Sequence, residues 1–390
     1  MGGSLTYLDG SAKLIAGMKA QRKQDPPADP GLGRMFFEDL RRARLQRTYA
    51  QEIKDLYHFY LDEKTRSKLN RMGRFQRAFV LLAWLFKSLL TKLSPGRRVA
   101  LLVACIFTVL GKTGFGIDAL GFNLNHDLRP WGFVILLVVL MLELKDKLVA
   151  KDEIQIARQV QVMLFPRSHP RMPGWSVWSI SRPANDVGGD LIDYVELDGF
   201  RHAVVLGDVA GKGLGASLLS AQLQATVRAL AVHAASLDDL AAQVNETMLR
   251  DGISNRFATL FYAELQYDSG SLRYVNAGHN PALVIRRNGV DRLGASSVPL
   301  GMMEGSDYDE VATHLEPGEM LLIYSDGVTE AENGEAAEFG LERLEALTPH
   351  LRDLDPESAG HRVLEEIDGF LDGLRPADDL SMVIVRRHDV

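Results

Sequence analysis

Arg201-His-Ala-Val-Val-Leu-Gly-Asp-Val-Ala-Gly-Lys-Gly213 is the stretch that decides the fold. Residues 201–206 make an apolar run of strand length, Gly207-Asp208 closes it, and glycines at 211 and 213 turn the backbone into the helix-like segment 214–232. The reading is buried strand, tight turn, helix, with one carboxylate at the strand end. Three more acids stand in similar settings. Asp190 ends Val187-Gly-Gly-Asp190, Asp326 sits in Ser325-Asp-Gly327 after the apolar run 319–324, and Asp378 opens Asp378-Asp-Leu-Ser381 before the run 382–386. Carboxylates at strand ends can converge at one edge of a sheet. Gathered there they would repel and raise one another's pKa, a cost that cations remove. Hard divalent cations want such an all-oxygen cluster, and a pair of them can activate water against a phosphate ester.

Outward from these motifs, residues 167–390 alternate strands and helices. Strand patterns cover 201–206, 257–267, 271–275, 282–287, 319–324 and 382–386, and helical patterns cover 214–232, 237–249, 341–351 and 356–374. Consecutive strands joined by short turns favour antiparallel pairing, so the class is α+β rather than a doubly wound sheet.

The part before it differs in character. Residues 1–74 form a basic helical region whose first 33 residues include the helix-breaking Asp25-Pro-Pro-Ala-Asp-Pro-Gly31; a helix is expected over 34–72. Residues 75–147 hold apolar runs at 75–93, 99–111 and 131–142. Extended to Ile117 and Leu144, the last two reach spanning length, and Arg97, Arg98, Lys145, Lys147 and Lys151 flank them. The positive-inside pattern then predicts a two-span membrane hairpin with both ends in the cytoplasm. The first run would lie in the interface as an amphipathic helix. The competing reading is a buried helical bundle. Residues 148–166 form a connector helix stopped by Pro166. Its seam of Ile154, Ala157, Gln161 and Leu164 admits a homodimer through residues 146–165, or docking of the helix on the domain that follows.

Composition bounds the rest. The 390 residues are 46% hydrophobic and 24% charged, and the one cysteine, Cys105, sits in an apolar run, so neither a disulfide framework nor a thiol nucleophile is expected. The first 30 residues carry no secretory apolar segment, which points to a cytoplasmic bulk. Residues 1–98 hold 20 basic and 9 acidic side chains, residues 99–390 hold 24 and 42. The acidic C-terminal part argues against nucleic acid as its partner, while the basic N-terminal part suits anionic lipid or nucleic acid.

The ordered set Val-Gly-Gly-Asp190, Gly207-Asp-Val-Ala-Gly-Lys-Gly213, Asn276-Ala-Gly-His-Asn-Pro281, Ser325-Asp-Gly-Val-Thr-Glu330 and Asp378-Asp-Leu-Ser381 resembles the metal-dependent serine/threonine phosphatases of the PPM (protein phosphatase 2C-like) type. The branch it looks like is the bacterial SpoIIE/RsbU-like one, and Ala157-Arg-Gln-Val-Gln161 with Leu164-Phe-Pro166 is similar to the helix leading into that domain. The resemblance covers about 155–390. It implies a four-layer αββα sandwich with two Mn²⁺ or Mg²⁺ ions between the sheets. By motif, Asp208 would bridge the ions, Asp326 and Asp378 would complete one site, and Asp190 with the backbone carbonyl of Val209 would serve the other. A bridging hydroxide would then attack phosphorus in line, without a phosphoenzyme. One departure stands out. Many eukaryotic members place a histidine just after the bridging aspartate as general acid, and here Val209 and Ala210 follow Asp208.

Other polar residues read more plainly. His279 is expected to hydrogen-bond its turn, Lys212 to be an exposed turn lysine, Asp193 and Asp379 to be outer or solvated acids, and Glu330 to cap or face solvent. The expected function is removal of phosphate from serine or threonine of a regulatory protein, with an anti-sigma-factor antagonist as the family-implied substrate and regulation through the N-terminal region. The alternative is a membrane scaffold whose inactive phosphatase-like domain binds phosphoproteins.

Overall fold

A computed structural model describes residues 87, 90–91, 93–111, 127–166, 168–252, 256–267 and 269–388. The chain divides into two compact units, 1–142 and 143–390. The helix expected over 34–72, nearly all of the interfacial segment 75–93 and the hairpin loop lie outside the described residues.

In the first unit, helix α1 (Pro95–Leu110) and the start of α2 (Arg129–Leu164) lie close together. At Gly132 a Cβ would stand 2.9 Å from the Ala104 carbonyl oxygen, so only glycine permits that approach. The membrane hairpin is corrected here. Among the described residues no helix is long and apolar enough to cross a membrane. The physical reason is legible in both helices. α1 has 16 residues, about 24 Å of rise against roughly 30 Å of hydrocarbon. The apolar part of α2 runs into Glu143, Lys145, Asp146 and Lys147. The cell-membrane placement that rested on the hairpin is withdrawn with it.

The second unit is a four-layer sandwich. One antiparallel sheet has the order β1 (Trp175–Arg182), β10 (Leu380–Arg387), β9 (Met320–Tyr324), β6 (Ala282–Arg286), β7 (Gly289–Leu293). The other has the order β2 (Leu191–Asp198), β3 (Arg201–Val209), β4 (Ala258–Gln266), β5 (Ser271–Ala277), β8 (Val311–His314). Alternation along the strands sorts side chains into three cores. Val204, Leu206, Phe261 and Ala263 meet Val284, Leu321, Ile323, Val383 and Val385 between the sheets. The opposite face of β3 and β4 buries Val205, Leu260 and Tyr262 against α3 (Leu214–Ala231) and α4 (Leu237–Asp251). The outer face of the first sheet buries Leu322, Tyr324 and Ile384 under α6 (Leu341–Leu351) and α7 (Pro356–Leu371), beyond the one-turn α5 (Asp326–Thr329). The α+β expectation and the layered sandwich both hold for this unit.

β1, β2, β7 and β8 were not read from the sequence. β2 carries Asp193 and Glu196 within its burial pattern, and β7 and β8 are short and partly exposed, so none shows a clean apolar period.

Candidate metal centre

The four acids come together because of strand register. Leu191 pairs with Gly207 across β2 and β3, which sets Asp190 beside Asp208. On the other sheet, Ser325 and Ser381 fasten β9 to β10: the Ser325 amide donates to the Ser381 carbonyl at 2.9 Å, and the Ser381 amide donates to Ser325 Oγ at 2.9 Å. That brings Asp326 and Asp378 to the same end of the sandwich. Gly327 permits the contact, since a Cβ there would lie 2.1 Å from the Asp379 carbonyl oxygen. At Gly189 a Cβ would lie 2.8 Å from the Val209 carbonyl oxygen and 3.5 Å from an Asp208 carboxylate oxygen, so the Gly-Gly pair lets the loop approach both.

The electrostatics record the crowding. Asp190 is 2% exposed and held well above the usual carboxylate range, first by burial and then by Asp208. Asp208 is pushed up to about 7 by burial and then by Asp326 and Asp378. Asp326 is pushed up to about 6 by burial and then by Glu330 and Asp378. Glu330, read from sequence as a cap or solvent group, is thus part of the negative field.

Mutual repulsion is felt, yet the carboxylates are not closed to ligation distance. Among the described residues no group of three or more His, Cys, Asp or Glu side chains is positioned to hold a metal ion. Lys212 gives a physical reason. Its Nζ pairs with Asp378 Oδ2 at 2.8 Å and donates to the Ala377 carbonyl at 2.7 Å, while the Asp379 amide occupies Asp378 Oδ1 at 2.9 Å. The turn lysine is therefore anchored on a candidate ligand rather than free in solvent.

The residues nonetheless fit a divalent cation. Both carboxylate oxygens of Asp190 are buried without a hydrogen-bond partner. The nearby Ser325 and Ser381 hydroxyls are engaged elsewhere, Ser325 Oγ to the Asp379 carbonyl at 3.0 Å and Ser381 Oγ to Ser181 Oγ at 2.8 Å. A buried anion with no donor is costly unless a cation meets it. The donor set is all oxygen, which suits Mg²⁺ or Mn²⁺.

Several supporting residues were invisible in the sequence, and of the outer or solvated roles read for Asp379 and Asp193 both take the outer one. Asp379 is not solvated: its carboxylate accepts from the Ala184 amide at 2.7 Å and the Gly189 amide at 2.6 Å, and so shapes the loop that carries Asp190. Asp193, 1% exposed, takes Arg228 Nε and Nη2 at 2.5 Å each and ties β2 to α3. The seam of α2 docks on the domain. Gln161 Nε2 donates to the Gly188 carbonyl at 2.8 Å, the Gly188 amide donates back to Gln161 Oε1 at 3.1 Å, and Gln224 Nε2 donates to the Leu164 carbonyl at 2.9 Å. Arg256 places its guanidinium over the glycine turn, with Nη1 donating to the Ala210 carbonyl at 3.0 Å and lying 2.5 Å from where a Gly211 Cβ would be. An arginine just ahead of β4 gave no motif by which to find it. His279 behaves as the turn reading expects: its amide donates to Asn276 Oδ1 at 2.8 Å, Nδ1 meets Thr259 Oγ1 at 2.7 Å, and burial pushes its pKa down to about 4.

The sandwich with carboxylates at one end defines a class, the PPM-type phosphatase domain. Residues 198–388 match the family model described as Stage II sporulation protein E (SpoIIE). The chain is 30% identical over 279 residues to Protein IcfG of Synechocystis sp., covering 63% of this chain and 43% of that one. It is 29% identical over 247 residues to the phosphoserine phosphatase RsbU of Bacillus subtilis, covering 61% of this chain and 70% of that one. The solved SiaA-PP2C domain of Pseudomonas aeruginosa shares the fold at 16% identity and a TM-score of 0.53, covering 63% of this chain and 99% of that domain. Residues 198–388 of this chain are therefore similar to the PP2C-type phosphatase domains of the SpoIIE family. The chain spans less than half of the length of IcfG.

Proposed function

We propose that the protein hydrolyses phosphoserine or phosphothreonine on a regulatory protein, with an anti-sigma-factor antagonist as the substrate type. The observation that carries this is the buried, partnerless Asp190 carboxylate beside Asp208, in a domain of this family. Asp208, Asp326 and Asp378 are the proposed catalytic carboxylates, and Asp190, Asp208, Asp326, Asp378 and the Val209 carbonyl the proposed ligands for two divalent ions, Mn²⁺ or Mg²⁺. Bound there, such ions supply an activated water and neutralise charge that develops on the phosphoryl group. The chain's own contribution is positional. Asp379 holds the Gly188–Asp190 loop, Ser325 and Ser381 lock the two strands, and Arg256 offers donors to phosphoryl oxygens from above the glycine turn. Val209 and Ala210, directly after Asp208, cannot act as acids, and water is the proposed source of the proton for the leaving serine.

In this reading the chain divides as 1–74, 75–147, 148–166 and 167–390, with 148–166 as the connector that steadies the metal end through Gln161. Ile156, Val160 and Met163, exposed at helical spacing on α2, are where a second copy would pair in a homodimer.

Hydrolysis of a phosphoserine peptide with Mn²⁺, by wild type and Asp208→Asn, tests the proposal. The substitution should lower kcat/KM by about three orders of magnitude or more, since it removes several kcal/mol of transition-state stabilisation. Equal rates would reject Asp208 as a ligand. A wild type that binds phosphoprotein without hydrolysing it would favour the scaffold.

A further inference from the structure

A second concentration of charge lies at the far end of the first sheet, where β9 begins and β10 ends. The five residues of β9 span about 16 Å, so this site and the Asp326 turn stand at opposite rims. A cavity of about 510 Å³ opens there between the end of β6, the Pro317-Gly318 turn and the C-terminal end of α6. Arg286, Arg287, Arg352 and Arg386 line it, with Asp353 as the one acid.

These guanidiniums are not alike. Arg286 is satisfied by Asp291 at 2.8 Å and Glu319 at 2.6 Å. Among the described residues, Arg287 donates only to the Pro317 carbonyl at 3.4 Å, and Arg386 to the Leu354 carbonyl. Arg352 has its Nε buried without any hydrogen-bond partner. Among the described residues, none of these last three makes an ion pair. Buried donors normally find an acceptor and Arg352 Nε has none, while Arg287, Arg352 and Arg386 together bring guanidiniums without an acidic partner to the lining of an open cavity. The surplus is also out of keeping with its surroundings, because residues 99–390 carry 42 acidic against 24 basic side chains.

We propose that this cavity binds a small anion bearing two or more phosphate charges, of the pyrophosphate or nucleoside polyphosphate kind. Guanidinium forks match phosphate oxygens, and several with spare donors select multiple charges over a single one. The cavity is concave and of small-molecule size, and Ile285, Pro317 and Pro349 give it apolar wall on which a ring can lie. It is separate from the carboxylate end, whose acids would repel the same anion.

The full chain, freed of divalent ions on a chelating resin, is titrated calorimetrically with pyrophosphate and with ATP. Saturable binding of at least one is expected, and the paired variant Arg287→Gln/Arg352→Gln should weaken it at least about tenfold, the loss of two charge-assisted contacts. Tighter binding of ATP would assign a nucleotide, and equal binding the phosphates alone. Arg287→Gln by itself, at an exposed position, should weaken binding measurably and keeps the test valid if the paired variant unfolds. Asp208→Asn should bind as wild type. Absence of binding at millimolar anion, an unchanged affinity in both arginine variants, or loss of binding in Asp208→Asn would overturn the proposal.

Discussion

His279 sits where its own protonation works against the fold. Burial moves its pKa from 6.5 down to about 4, so the unfolded chain binds more protons between those values. This histidine's contribution to stability is therefore fully present above about pH 6.5 and is lost as pH falls toward 4, a swing of about 3 kcal/mol, while the raised Asp208 and Asp326 act in the opposite sense over the same window. Urea unfolding of wild type and His279→Gln between pH 4 and 7 checks this. The substitution should remove a rise of stability with pH over that window, and an unchanged slope would assign the titration to another group. The site residues divide by how locally they are marked. Asp190, Asp208 and Asp326 stand beside glycines that the tight approach requires, so the sequence names them. Asp379 acts on an amide 190 residues away, Arg256 on a carbonyl 46 away and Gln161 on a loop 27 away, and nothing near them in the chain announces it.

Among the elements, β3, β4, β9 and β10 were legible because both faces are apolar and glycine or acidic turns bound them. β2 was hidden by Asp193, a charge that the core tolerates only because Arg228 covers it. α2 shows the opposite difficulty: its seam was visible, but a seam alone does not say whether it meets a second copy or its own domain. The reciprocal bonds of Gln161 with Gly188 settle that face as a docking contact, adjacent to the loop that carries Asp190. Gln161→Ala should lower Mn²⁺ affinity by about tenfold, as loss of a supporting contact behind a ligand does, with little change in melting temperature. Metal titration alongside thermal unfolding reads both quantities. Lost stability at unchanged affinity would reduce Gln161 to a packing residue.

For the whole molecule, the proposed ions would relieve the repelling carboxylates and so add to the stability of the second unit. Mn²⁺ at about 100 times its dissociation constant should stabilise the fold by about 2.7 kcal/mol. For a domain of this size that is a rise in melting temperature of roughly 5–10 °C, reversed by chelator. Calorimetry with and without Mn²⁺ at equal ionic strength measures it, and coincident transitions would show that the carboxylates hold no cation.

The pairing of β1 with β10 carries a further consequence. Trp175 lies opposite Arg387, and β10 sits between β1 and β9 rather than at an edge. During synthesis β1 and β9 therefore have no shared neighbour until residues 380–387 clear the ribosome. The first sheet cannot close piecemeal, and the Asp378 that precedes its final strand reaches Asp326 only at the moment of closure, so a nascent chain holds its pre-formed half of the sandwich with one face still bare.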